Sequence, residues 1–159
     1  MRVPEARGDL DARGRRFAIV AAEFNELVVE RLVDGALRCF ATHGISEDNL
    51  FLAWVPGSFE IPLAAEKLAA SGGYDAIVCL GALIRGETAH FEVVAREAAT
   101  GIRQAMRETG VPILFGVLTT DTTQQALERA GGKHGNKGWD AALAAMRMCS
   151  VLDQLPEKE

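Results

Sequence analysis

The chain has 159 residues, of which 48% are apolar, and this combination is typical of one globular domain with its own hydrophobic core. A net charge of −5, without a cluster of basic residues, argues against a nucleic-acid partner. The first residues lack the apolar core of a signal peptide, and no apolar run is long enough to span a bilayer, so a cytoplasmic location is expected.

The amino-terminal half alternates between apolar runs, which predict strands, and helical patterns. Residues 1–13 are polar and contain glycine, so we expect a flexible tail or a strand that pairs elsewhere. A strand over 16–22 precedes a helix over 25–43. A second strand over 49–55 precedes a helix over 58–70.

The carboxy-terminal half continues the alternation. A third strand is predicted over 74–84, and the longest helix over 88–108 carries an apolar stripe that begins at Phe91. A fourth strand over 111–118 follows. The remaining predicted elements are a short helix over 122–130 that begins with a capping box, a loop over 131–138 and a last helix over 139–152.

Strands that alternate with helices predict right-handed crossovers and a parallel sheet covered by helices on both faces. In such sheets ligands bind beyond the carboxyl ends of the strands. Four turns follow the predicted strands, and we expect them to share one rim: 22–25, 55–60, 84–90 and 118–122.

The turn over 84–90 is the strongest candidate for chemistry. A strand that leads through a glycine turn into a helix leaves free N–H groups at the helix N-terminus, and these favour anions such as phosphate. His90 lies in the first helical turn, where the helix dipole disfavours imidazolium, so we expect a neutral proton acceptor. A lone histidine is often structural, and both roles stay open from the residues alone.

Other turns carry candidates for binding. Phe24 is either a stacking platform for a flat ring, with Asn25 supplying polar contacts, or a staple that packs on its own helix. Ser58 and Glu60 either bind the hydroxyls of a polyol or stabilise the first turn of their helix, Ser58 as its cap.

Arginines offer a further kind of anion site. Arg85 and Arg129 are candidate phosphate clamps, although most arginines are only solvated surface. Neither a metal nor a nucleotide mechanism is supported, because His43 and His134 show no metal-ligand spacing with His90 and no phosphate-binding loop motif occurs.

The cysteines and the loop lysines give weaker indications of chemistry. Cys39, Cys79 and Cys149 each lie among apolar neighbours, so we expect buried free thiols. A Schiff-base aldolase that uses Lys133 or Lys137 is a weaker hypothesis, because both lysines lie in a glycine-rich loop rather than in an apolar pocket.

Taken in order, the turns and their flanks resemble the lumazine synthase family. The matching segments are 24–25, 54–62, 81–90, 115–120, 125–130 and 135–138, and the similarity runs from about residue 16 to residue 152. The resemblance implies a three-layer α/β/α sandwich with a four-stranded parallel, flavodoxin-like sheet, in one domain over 1–159.

The resemblance also implies a reaction. The family condenses 5-amino-6-(D-ribitylamino)uracil with 3,4-dihydroxy-2-butanone 4-phosphate to 6,7-dimethyl-8-ribityllumazine, releasing phosphate and water in riboflavin biosynthesis. It uses no metal and no organic cofactor. The alternative is a non-catalytic protein that binds lumazine or flavin on the same fold.

Residue by residue, the resemblance implies roles that divide between the two substrates. His90 matches the catalytic histidine. The residues matched to the pyrimidine and its ribityl chain are Phe24, Asn25, Ser58, Phe59, Glu60, Ala82, Leu83 and Ile84. The residues matched to the phosphate turn are Glu87, through its backbone, and Thr88, while Phe115 and Arg129 match residues that a neighbouring subunit supplies.

The resemblance finally implies assembly. The family is built on pentamers with active sites between subunits, and some members form shells of sixty subunits. The short loop over 131–138 is similar to that of shell-forming members, so the resemblance favours a shell over an isolated pentamer. Riboflavin synthase is the candidate partner.

Overall fold

A four-stranded parallel sheet forms the centre of the computed structural model, which describes residues 1–157. Its strands are β1 (Phe17–Ala22), β2 (Leu50–Val55), β3 (Ala76–Ile84) and β4 (Ile113–Thr120), in the order β2-β1-β3-β4. All three strand pairs are parallel. The predicted parallel sheet is therefore confirmed.

Helices cover both faces of this sheet. One layer consists of α1 (Glu26–Thr42) and α5 (Lys137–Gln154), and the other of α2 (Ile61–Ala70) and α3 (His90–Thr109). The short helix α4 (Thr123–Glu128) follows β4. The three-layer α/β/α architecture is confirmed. Across residues 1–157, no helix combines the length and the apolar character that a bilayer crossing requires.

The two central strands are buried on both faces. Alternate side chains of β1 enter different cores: Phe17 and Ile19 pack with α1 and α5, while Ala18 and Val20 pack with α2 and α3. Phe17 also stacks on Phe40 with ring centroids 4.7 Å apart. Burial on both faces explains why β1 and β3 read as continuous apolar runs in the sequence.

The predicted helix over 58–70 is divided in the structure. A 3₁₀ turn, Ser58–Glu60, precedes α2, which begins at Ile61 with Pro62 in its first turn. Proline suits this position because it has no N–H to donate and its φ is already helical. The predicted helix over 88–108 begins two residues later than expected, so His90 is the first residue of α3.

A hairpin replaces the predicted loop over 131–138, so that prediction was wrong. Strands β5 (Ala130–Gly132) and β6 (Gly135–Asn136) pair antiparallel. Gly131 and Gly135 have φ values of 106° and 81°, which glycine adopts without a steric penalty. Asn136 then caps α5, since its Oδ1 accepts the N–H groups of the first helical turn.

The amino-terminal segment lies against α5 of the same chain. The Arg7 N–H donates to Gln154 Oε1 at 3.1 Å, and the Asp9 N–H donates to Ser150 Oγ at 3.1 Å. Ala12 is almost completely buried. Exchange of residues 1–13 with a neighbouring subunit stays a prediction.

All three cysteines are buried, as predicted. Burial raises the pKa of the Cys39 and Cys149 thiols to about 11 and raises that of Cys79 further. Because the thiolate is the reactive form, we expect iodoacetamide at pH 8 to leave all three unmodified in the native protein and to label them after unfolding. Mass spectrometry of the intact chain measures both; rapid labelling of the native protein would contradict the buried, protonated thiols.

Candidate active site

A cleft of about 670 Å³ lies beyond the carboxyl ends of β1, β2 and β3. The turns after these strands line it, together with the first turn of α3. The predicted site residues that border it are Phe24, Asn25, Ser58, Phe59, Glu60, Leu83, Ile84, Thr88 and His90. The topology thus brings three of the four predicted turns to one cavity.

Phe24 stands at one wall of this cleft with 69% of its surface exposed. Such exposure does not fit a staple packed on α1, so the ring is available to a ligand. Its backbone N–H donates to the Pro56 carbonyl at 3.2 Å, which ties the first turn to the second.

Asn25 holds the same turn from the other side. It is the one non-glycine residue with positive φ in the described range 1–157, at 62°. Its Nδ2 donates to the Ala82 carbonyl at 2.6 Å, joining the start of α1 to β3. Asparagine tolerates left-handed backbone better than most residues, and this hydrogen bond stabilises it there.

Asn25→Ala is expected to destabilise the protein by about 2 kcal/mol, because the variant loses the hydrogen bond and strains alanine in a left-handed conformation. Asn25→Gly also loses the hydrogen bond but keeps the favoured backbone, so we expect a smaller loss. Denaturant unfolding of both variants measures the difference. Equal stability of the alanine variant and the wild type would contradict this role.

Ser58 and Glu60 border the same cleft from the 3₁₀ turn that follows β2. Ser58 is buried, with only 4% of its surface exposed. It packs so closely on Gly81 that a Cβ at that position would lie 2.6 Å from the Ser58 Oγ, closer than van der Waals contact allows. The N-cap of the 3₁₀ turn is Gly57 and the N-cap of α2 is Glu60. No side chain accepts a hydrogen bond at either cap. Ser58 as a helix cap was therefore wrong. Glu60 is exposed. Both remain candidates for binding hydroxyls.

His90 lies at the N-terminus of α3, where it borders the cleft with Thr88. Its backbone N–H donates a long hydrogen bond to Thr88 Oγ1, at 3.4 Å, and its side chain is exposed. The free N–H groups of a helix N-terminus form an anion site.

Two predicted site residues are not on the surface of the cleft. Glu87 is exposed and does not border it, and Ala82 faces the buried core. The side chains of Glu87 and Ala82 therefore do not border the cleft in the single chain.

Arg85 is not presented to the cleft as a phosphate clamp. Its Nε donates to Asp121 at 2.9 Å and its NH1 donates to Glu92 at 3.1 Å. These two hydrogen bonds raise the pKa of the guanidinium, which also lies 4.8 Å from the centre of the Phe91 ring. Its charge is already matched within the chain.

Phe115 and Arg129 lie outside the cleft. Arg129 borders two cavities next to the end of β4, of about 530 and 520 Å³, and Phe115 borders the second. The Arg129 guanidinium donates to the Gln125 carbonyl at 3.1 Å and lies 4.0 Å from the Glu128 carboxylate. A single chain therefore presents two separate groups of predicted site residues.

Some residues of the cleft were not predicted as site residues. Phe91, Val93 and Val94 border it, although the sequence pattern placed Phe91 in a stripe that packs on the sheet. Val93 is half exposed, at 50%. Their place directly after His90 in the first turn of α3 is the signal that could have identified them.

Other chemistries find little support in the described residues. Among residues 1–157, no group of three or more His, Cys, Asp or Glu side chains is arranged to hold a metal ion. Lys133 is exposed and lies 3.6 Å from the Glu128 carboxylate, and Lys137 borders a polar cavity. Neither lysine has the apolar surroundings that would make it a Schiff-base nucleophile.

Comparisons with known proteins cover nearly the whole chain. A family model described as 6,7-dimethyl-8-ribityllumazine synthase matches residues 14–153. A protein of that name from Chloroherpeton thalassium is 53% identical over 98% of this chain and 100% of its own length. Those from Chlorobium luteolum and Clostridium kluyveri are 52% and 49% identical, over 95% and 93% of this chain and 97% and 96% of their own lengths.

Proposed function

The chain belongs to the 6,7-dimethyl-8-ribityllumazine synthase family, and from this premise we propose how its residues carry out the reaction. The protein is a transferase of riboflavin biosynthesis. It condenses 5-amino-6-(D-ribitylamino)uracil with 3,4-dihydroxy-2-butanone 4-phosphate to 6,7-dimethyl-8-ribityllumazine, releasing phosphate and water. None of these relatives is named as a non-catalytic binding protein.

The pyrimidine binds in the 670 Å³ cleft. Its flat ring stacks on the exposed face of Phe24, and Asn25 supplies polar contacts. The end of β3, from Ala82 through Leu83 to Ile84, contacts the ring edge through backbone groups. The ribityl chain lies along the 3₁₀ turn, where Ser58, Phe59 and Glu60 bind its hydroxyls and its carbon chain.

The phosphate of the second substrate lies at the N-terminus of α3. Thr88 and the free backbone N–H groups there donate to it, and Glu87 contributes only its backbone N–H, since its carboxylate would repel the ligand. Arg129 of a neighbouring subunit supplies the positive charge, and Phe115 of that subunit closes the site. The observation that supports this division is that Arg129 and Phe115 border cavities other than the cleft.

His90 moves the protons. The amine of the pyrimidine attacks the ketone and forms an imine with loss of water, which needs a proton delivered to the departing oxygen. Phosphate then leaves by elimination, which needs a proton removed from carbon. Ring closure by the second nitrogen releases another water. Beyond proton transfer, the protein holds two substrates in one orientation and stabilises the departing phosphate.

A homo-oligomer follows from this arrangement, because one chain holds only half of each site. We propose pentamers, with adjacent subunits sharing each site, and a shell of twelve pentamers as the larger assembly. Riboflavin synthase, which would consume the product, is the proposed partner. Sedimentation separates a pentamer of ~85 kDa from a shell of ~1 MDa, given a chain of 17.1 kDa and closed symmetry.

The reaction is tested by mixing the purified protein with both substrates. We expect lumazine absorbance to rise together with released phosphate in equal amounts, and neither signal when one substrate is omitted. Absence of both signals, together with tight binding of lumazine when it is added to the protein, would identify a carrier and overturn the enzyme.

A further inference from the structure

Arg85 connects the carboxyl ends of the neighbouring strands β3 and β4 to α3. It directly follows β3, and its backbone N–H donates to the Thr120 carbonyl at the end of β4, at 2.8 Å. Its side chain donates to Asp121, also beyond β4, at 2.9 Å, and to Glu92 of α3 at 3.1 Å. One guanidinium therefore contacts both the turn after β4 and the helix that carries His90.

The β4 side of this connection is held firmly. The Asp121 N–H donates to Gln125 Oε1 at 2.8 Å, and the Gln125 N–H donates to Thr122 Oγ1 at 3.1 Å. The second bond belongs to the capping box of α4, and the Thr122 N–H completes that box by donating to the same Gln125 Oε1 at 3.3 Å. The Asp121 carboxylate is thus attached to a fixed backbone.

The α3 side depends more on Arg85. The N-cap of α3 is Ala89, which has no side-chain cap bond, so the first turn of this helix has only the long hydrogen bond from the His90 N–H to Thr88 Oγ1, at 3.4 Å, in place of a cap. Arg85 contacts the two residues that directly follow His90. Its guanidinium lies over the Phe91 ring at 4.8 Å and binds the Glu92 carboxylate.

We propose that Arg85 is a positioning residue for the reaction: through Phe91, Glu92 and Asp121 it fixes the first turn of α3, and with it His90, against the end of β4. The inference rests on the proposed role of His90 in proton transfer. Arginine suits this task because its planar fork binds two carboxylates at once and stacks on an aromatic ring, whereas lysine is a point charge.

Arg85→Met and Arg85→Lys test this role. Since a small misplacement of a catalytic group costs rate, we expect kcat to fall about tenfold in both variants. The pyrimidine KM should stay within about twofold, because Phe24 and Ser58 are untouched. Arg38→Gln, which removes an exposed ion pair of α1 with Asp34, is the matched control and should keep wild-type kcat. Full activity of Arg85→Lys would overturn the proposal.

Combination with His90→Ala separates positioning from a general structural effect. If Arg85 acts through His90, adding Arg85→Met to His90→Ala lowers kcat by less than about twofold further. A further tenfold loss would contradict the proposal.

Asp121→Asn is the second test if Arg85→Met does not fold. It weakens the same contact and should also lower kcat; an unchanged kcat would contradict the positioning role of Arg85. Inactive wild-type protein would instead refute the proposed function.

Discussion

Replacing His90 with alanine is expected to lower kcat by about 10²–10⁴-fold, the range that a positioned general acid–base supplies. The loss should fall on kcat more than on the KM of the pyrimidine, because Phe24 and the Ser58 wall bind that substrate. The side chain of His90 is exposed, so its removal leaves no cavity in the core. Steady-state rates of lumazine formation at saturating substrates measure the effect.

The control for this variant is His43→Gln. His43 follows the last turn of α1, at the end of that helix opposite the cleft, and its ring contacts the Cys39 carbonyl. We expect His43→Gln to keep wild-type kcat, and circular dichroism should show that both variants are folded. Near-normal turnover of His90→Ala would remove His90 from the centre of the mechanism.

Arg129→Ala is expected to raise the KM of the four-carbon phosphate substrate and to lower kcat, by about 10²-fold in kcat/KM, because the departing phosphate loses a preorganised positive charge. Binding of the pyrimidine should change little. Arg129→Lys should recover part of the loss, since it keeps the charge but not the two-armed geometry. Initial rates with each substrate varied in turn separate these effects.

Lys133→Ala is the matched control for Arg129. Lys133 lies in the turn of the hairpin that directly follows Arg129, and its Nζ is 3.6 Å from the same Glu128 carboxylate that lies near Arg129. The lysine end of this ion pair is exposed, so the pair contributes little and wild-type kinetics are expected. Equal losses in Lys133→Ala and Arg129→Ala would indicate a general charge effect and would contradict a specific phosphate contact.

The fold was predictable because its central strands are buried on both faces. β1 and β3 therefore appear as apolar runs, while α1 and α3 show helical periodicity. The capping box at Thr122 was visible for a similar reason, since it depends on residues three apart. Such local patterns determine the element types, and parallel pairing then brings the predicted turns to one rim.

What the sequence could not predict depends on local backbone geometry and on contacts between residues distant in the chain. Ser58 reads as a helix cap, but Pro62 shifts the start of α2 and leaves Ser58 buried beside Gly81. The hairpin over 130–136 depends on backbone angles at two glycines that also suit a loop. Arg85 reads as a free cation, yet it binds Asp121, which lies 36 residues further along the chain.

The central claim is that each active site takes His90 from one subunit and Arg129 from its neighbour, and activity of mixed oligomers tests it most directly. His90→Ala and Arg129→Ala subunits would be unfolded together, mixed in equal amounts and reassembled. Random mixing in a closed ring gives both intact residues at about one quarter of the sites, so we predict recovery of about one quarter of wild-type activity. Activity no higher than that of either variant alone would contradict a shared site.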